Sequence, residues 1–143
     1  MTRKREERHE VIRTVVRAER IRTQHDLVDR LSEEGFDCTQ ATVSRDITDM
    51  GLTKLPEGVY VLAEDLHLQR MIDELVTGVV HTNNMLIVKA SPGTAQGVAA
   101  AVDAAGLGGI LGSIAGDDTV LVITDSEKSA QLLQDQIDKF RGE

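Results

Sequence analysis

Apolar positions along this chain keep a helical period for about the first fifty residues and then mostly alternate, and the change of period divides it. Val11, Ile12, Val15 and Val16 share one face of a helix spanning about Lys4 to Ala18. Thr23 is placed to cap a second helix, with Asp26 three residues on giving a weaker form of the capping box. That helix would bury Leu27, Val28 and Leu31 and reach about Glu34, where Gly35 supplies the residue that favours positive φ past a helix end. A third helix runs from about Thr39 to Met50, with Ala41, Val43 and Ile47 as its apolar rear and Gly51 as its stop. Thr53–Leu62 reads as a hairpin turning at Leu55-Pro56-Glu57-Gly58, which has Pro at i+1 and Gly at i+3, as a type I turn prefers.

Ala63-Glu64-Asp65 then reads as a linker, followed by a short helix around Leu66–Asp73. Strands are expected at Leu75–His81 and Met85–Ala90, joined by Thr82-Asn83-Asn84. Ser91-Pro92 is expected to open a helix running to about Ala105, with Pro at the favoured first position. Two more strands, Ile110–Ala115 and Thr119–Thr124, flank Gly116-Asp117-Asp118, and Asp125 or Ser126 caps a last helix to about Phe140. The order ββαββα implies an α+β sandwich whose antiparallel sheet carries helices on one face. Two domains follow, 1–64 and 65–143.

The front of the third helix carries Gln40, Thr42, Ser44 and Arg45, side chains able to hydrogen-bond phosphates and base edges. Arg45 can fork onto the O6 and N7 of guanine. Two preceding helices and a following hairpin make this a winged helix-turn-helix, so the first domain is expected to read double-stranded DNA. The plainer alternative is a generic three-helix domain whose Ser and Thr are merely solvated.

Charge first argues against DNA, since the chain carries a net −8. Its distribution answers part of that objection. Residues 1–63 hold 11 basic and 12 acidic side chains, and residues 64–143 hold 5 and 12. Within residues 1–22 there are 8 basic against 4 acidic, so the phosphate footprint is expected at the N-terminus. The acidic second domain must do something else.

Other classes find little support. Cys38 is alone, leaving no intrachain disulfide and no cysteine-based metal site, and the four histidines lack the i, i+4 spacing of a helical zinc pair. No apolar run approaches the roughly 18 residues of a membrane span, and residues 1–20 have no signal-peptide core, so a soluble cytoplasmic protein is expected. With Phe36, Tyr60 and Phe140 as the aromatic residues, both cores must be aliphatic.

Two segments of the second domain could carry chemistry. Gly93-Thr94-Ala95-Gln96-Gly97-Val98 suggests a phosphate loop but lacks the Gly-x-Gly-x-x-Gly spacing and a following Lys-Ser/Thr. Its small residues are better read as letting a helix pack closely on the sheet. Gly112-Ser113-Ile114-Ala115-Gly116-Asp117-Asp118-Thr119 places two acids in a turn, where they are either solvated turn-formers or the receptor of a cation. With hardly an aromatic ring available, a cation–π cage is excluded. A carboxylate instead pairs with a guanidinium through two parallel hydrogen bonds. A cation lodged between such acids relieves their mutual repulsion.

The residues FDCTQATVSRDITDMGL at 36–52 and GSIAGDDTVLVI at 112–123, in this order and spacing, closely resemble the bacterial arginine repressor family, and the resemblance covers nearly the whole chain. It implies an arginine-dependent repressor of arginine biosynthesis and catabolism genes that binds operator DNA. It also implies a second domain that trimerises, with two trimers stacking into a hexamer around L-arginine as corepressor. By motif, Asp117 and Asp118 match the paired aspartates that hold arginine. Gln96 and Asp103 match positions on the preceding helix, and Ser113 and Ala115 match the strand before the aspartates. Ser113 stands where many members have Thr, which keeps the hydroxyl and loses a methyl contact. No metal and no enzymatic activity are expected. Two alternatives remain at this point: a regulator of the same architecture sensing another amino acid, and a small enzyme using Asp117 and Asp118 as acid and base.

Overall fold

The structure is a computed structural model that describes residues 2–142. The chain forms two compact units, Met1–Ala63 and Glu64–Glu143.

The first unit contains α1 (Thr2–Ala18), α2 (Gln24–Glu33), α3 (Gln40–Asp49), β1 (Leu52–Lys54) and β2 (Tyr60–Leu62). Local chemistry sets each boundary. The Thr23 hydroxyl accepts the Asp26 N–H at 3.0 Å, and Thr39 does the same for Thr42 at 3.2 Å, each satisfying an orphan donor of the helix it opens. Gly35 and Gly51 follow α2 and α3 with φ of +91° and +67°. The hairpin closes through Gly58 N–H to Leu55 carbonyl at 2.8 Å, with Leu52 opposite Leu62. Ile12, Val15, Val16, Leu27, Leu31, Val43 and Leu62 form the aliphatic centre of its core.

The second unit contains α4 (Ala63–Leu75), β3 (Val76–Thr82), β4 (Met85–Ala90), α5 (Ala95–Ala105), β5 (Ile110–Ala115), β6 (Thr119–Thr124) and α6 (Glu127–Phe140). The sheet order is β3-β4-β6-β5, antiparallel throughout. Leu86, Val88, Val120 and Val122 point to one face, where they meet Leu68 and Ile72 of α4, Val98 and Val102 of α5, and Leu133 and Ile137 of α6. The opposite face carries Val80, Ile87, Leu121 and Ile114, paired in one row across all four strands. Val80 and Ile114 are 59% and 74% exposed.

Three expectations are corrected. Ala63-Glu64-Asp65 is the first turn of α4 rather than a linker, and that helix is longer than expected, reaching Leu75. Glu64 and Asp65 suit that place, because acids in a first turn favour the positive end of the helix dipole. Ser91-Pro92 does not open α5. Thr94 N–H reaches back to the Ser91 carbonyl at 3.1 Å, closing a turn with Gly93 at φ +81°, a conformation that no right-handed helix admits, so α5 starts at Ala95. Close packing by the small residues of 93–98 holds for Ala95, buried in the core shared with the strands, but not for Gly97, which faces α4: a Cβ there would lie 3.1 Å from Met71 Cε.

Candidate functional site

Helical geometry sorts the expected DNA-reading residues. Val43 and Asp46 are buried and Ile47 and Met50 half-buried, so the rear of α3 is centred on them. The opposite face then carries Ala41, Ser44, Arg45 and Thr48 at i, i+3, i+4, i+7 spacing. Ser44 and Arg45 are therefore brought together on the outward face as expected, with Arg45 exposed. Ala41 is exposed there too, not part of the apolar rear. Thr42 turns to the flank, where its side chain receives a hydrogen bond from the Thr39 hydroxyl at 3.1 Å. Gln40 sits at the first helical position, its amide 3.4 Å from Gln24 Oε1 of α2.

The hairpin beside α3 is fastened at its tip. Arg22 Nη1 donates to the Glu57 carbonyl at 2.9 Å, and Tyr60 N–H donates to the Ile21 carbonyl at 2.9 Å. Lys54 Nζ lies 5.4 Å from the Tyr60 ring centroid, which keeps its charge at the wing.

The N-terminal basic cluster is only partly available to phosphates. Arg5 pairs with Asp49 at 2.8 Å, Arg8 with Asp46, and Arg13 with Glu10. The side chain of Arg3 lies outside the described residues. Asp46 is the residue that pattern reading missed. It is 1% exposed and held by three bonds. Arg8 forks onto it with Nε–Oδ2 at 2.5 Å and Nη2–Oδ1 at 2.9 Å, while His9 Nε2 lies 2.9 Å from Oδ1. Burial alone would raise the Asp46 pKa, but the bonds from Arg8 and His9 outweigh it and hold the carboxyl below its usual range. The available signal was the spacing of Arg5 and Arg8 against Asp46 and Asp49, three residues apart on each helix.

In the second unit the expected ligand residues come from three neighbouring elements. The Asp117 carbonyl accepts the Ala95 N–H at 3.1 Å, and the Asp118 carbonyl accepts the Ala90 N–H at 2.8 Å. The acidic turn is thereby tied to the end of β4 and to the N-terminus of α5, whose cap residue Thr94 makes no side-chain capping bond. Gln96 lies in the first turn of α5, and Asp103, seven residues on, falls on the same stripe about 10 Å further along. Ser113 and Ala115 pair with Val122 and Val120, so they face the helix side of the edge strand β5. A register shift between Ile110 and Gly112 re-aims the strand just before them. Ser113 Oγ donates to Asp103 Oδ1 at 3.2 Å, which joins strand and helix.

Asp118 is already engaged. It accepts from the Thr119 hydroxyl at 2.9 Å and lies 3.6 Å from Lys89 Nζ, and these two, in that order, lower its pKa. Gln96, Asp103 and Asp117 are exposed and Asp118 is half-exposed, so the cluster forms an open rim rather than a closed pocket. A separate cleft of about 190 Å³ at the far end of α5 includes Asp103 alone of these residues. Among the described residues no group of His, Cys, Asp and Glu could hold a metal ion, and no helix is long and apolar enough to cross a membrane.

Comparison with known proteins places both units. Residues 3–68 match the family described as arginine repressor, DNA binding domain, and residues 72–139 match arginine repressor, C-terminal domain. The chain is 39% identical over 146 residues to the arginine repressor of Pelotomaculum thermopropionicum, covering 94% of this chain and 97% of the relative. It is 43% identical over 141 residues to that of Thermus thermophilus (91% and 86% covered) and 40% identical over 138 to that of Koribacter versatilis (91% and 93%). The α+β two-domain architecture, with a helical DNA-binding unit ahead of an antiparallel sheet carrying helices, accords with these matches. The chain belongs to the arginine repressor family, whose members are DNA-binding transcriptional regulators and not enzymes.

Proposed function

We propose that the chain represses arginine biosynthesis and catabolism genes by binding operator DNA through Gln40, Thr42, Ser44 and Arg45. L-arginine acts as corepressor, held by Gln96, Asp103, Ser113, Ala115, Asp117 and Asp118 at the subunit interfaces of a hexamer. The observation that carries this reading is the bond from Ala95 N–H to the Asp117 carbonyl, which gathers the acidic turn against the helix bearing Gln96 and Asp103. Asp117 and Asp118 suit a guanidinium, because a carboxylate offers it two parallel acceptors. Gln96, in the first turn of α5, and Asp103, about 10 Å further along it, would share the remaining polar groups of the amino acid.

An open rim does not enclose a ligand as usual small-molecule sites do. The walls it lacks come from a second copy of the chain, and the uncovered apolar row of Val80, Ile87, Leu121 and Ile114 supports assembly through this unit. Arginine between acidic rims lowers their mutual repulsion, so ligand and assembly favour each other. Calorimetry with arginine and citrulline, run beside mass measurement, tests the reading. Arginine should bind and raise the hexamer fraction, and citrulline, with its neutral urea, should do neither. Equal binding of the two would remove the paired aspartates from the mechanism.

A further inference from the structure

Asp46 stands one residue after Arg45, buried beside Val43 and flanked by the half-buried Ile47. Stability alone does not account for a carboxylate there, since a buried ion pair is often matched or exceeded by apolar residues of similar volume. What the ion pair adds is direction. Apolar burial is non-directional, so Val43 and Ile47 would tolerate a small rotation or slide of α3. A guanidinium fork onto a carboxylate tolerates neither, because both of its bonds must stay in plane.

The fork is also one of two rungs. Arg8 meets Asp46 and Arg5 meets Asp49, so positions rising by three on α1 meet positions falling by three on α3. The buried fork sets the rotation of one helix against the other, and the more exposed Arg5–Asp49 pair adds only weakly to their axial register. Rotation matters most at Arg45, because neighbouring positions on a helix stand 100° apart and its long side chain enlarges any error at the tip.

We infer that Asp46, through Arg8 and His9 of α1, is a positioning residue for Arg45, holding α3 at the one rotation that presents Arg45 and Ser44 squarely to base edges. The inference rests on the proposed DNA-reading role of α3. A mispositioned Arg45 loses base discrimination and keeps its attraction to phosphates.

The test uses the full-length chain with arginine present and two duplexes. One is selected by the wild type from a random-sequence pool, and the other is a shuffled version of the same composition. Asp46→Asn is nearly isosteric and weakens the fork, and Arg8→Lys keeps the charge but cannot fork. In both variants the ratio of selected to shuffled affinity should fall about tenfold, the size of one spoiled bidentate base contact. Shuffled-duplex affinity, arginine binding by calorimetry and oligomeric mass should stay at wild-type values. Should Asp46→Asn fail to fold, Arg8→Lys decides. An unchanged ratio would overturn the inference, and so would an equal loss on both duplexes, which marks a merely structural role. A wild type that selects no duplex would overturn the DNA-reading role itself, and the inference with it.

Discussion

Truncating Arg8 to Ala isolates the energy of the buried fork. The variant leaves a carboxylate that is 1% exposed without the guanidinium that reaches it at 2.5 and 2.9 Å. Breaking a buried pair from one side costs about 3–5 kcal/mol, chiefly because the stranded charge stays desolvated. His9 remains 2.9 Å from Oδ1 and keeps one oxygen satisfied. Arg8 itself is 13% exposed, so water reaches the gap its loss creates. Both effects lower the figure, to about 2–4 kcal/mol. A unit of this size has roughly 3–9 kcal/mol in total, so the loss is a large share. The assay is specific to the first unit, because the single tyrosine of the chain, Tyr60, lies in β2. Urea unfolding followed by its fluorescence should show a lower midpoint with an unchanged slope. The double variant Arg8→Met/Asp46→Leu should recover most of the loss while still discriminating poorly between duplexes. A cost below about 0.5 kcal/mol for Arg8→Ala, as for a surface pair, would refute the buried-fork reasoning.

Arg45→Ala should weaken binding to a selected duplex by about 1–3 kcal/mol, measured by fluorescence anisotropy, with arginine binding unchanged. Asp118→Asn should weaken arginine binding at least about tenfold in calorimetry, since the paired charge is lost, while the thermal midpoint of the second unit stays put. Ile114→Glu should lower the oligomeric mass seen by light scattering, by charging the row on the open sheet face. Acid should unfold the first unit with a definite sign. The Asp46 pKa is lowered from its ordinary value of 3.8, so its stabilisation is present above that value and lost as pH falls through the lowered one. Tyr60 fluorescence in urea at pH 2 to 5 should show a steeper acid loss for wild type than for Asp46→Asn.

Much of the fold could be read from local signals. Thr23 and Ser126 cap helices because a short side chain can serve the donors two or three residues on, which depends on nothing distant. Strands β4, β5 and β6 fall where alternation and turn residues put them, since a strand with one buried face must alternate. The acidic turn and the outward Arg45 were visible for the same reason. Other features needed the tertiary structure. Gly93 at positive φ ended the expected helix start at Pro92, and the donor left exposed on Ala95 was met by a carbonyl 22 residues away in sequence. Asp46 was not singled out because a hydrophobic pattern carries no information about a partner 38 residues distant. Its burial exists only once α1 places Arg8 and His9 against it. Sequence by itself determines what each short segment favours, because caps, turns and periodicity are settled within a few residues. Which charges become buried, which carbonyl completes a helix end and which acids gather at one rim depend on long-range packing, and that the folded chain alone decides.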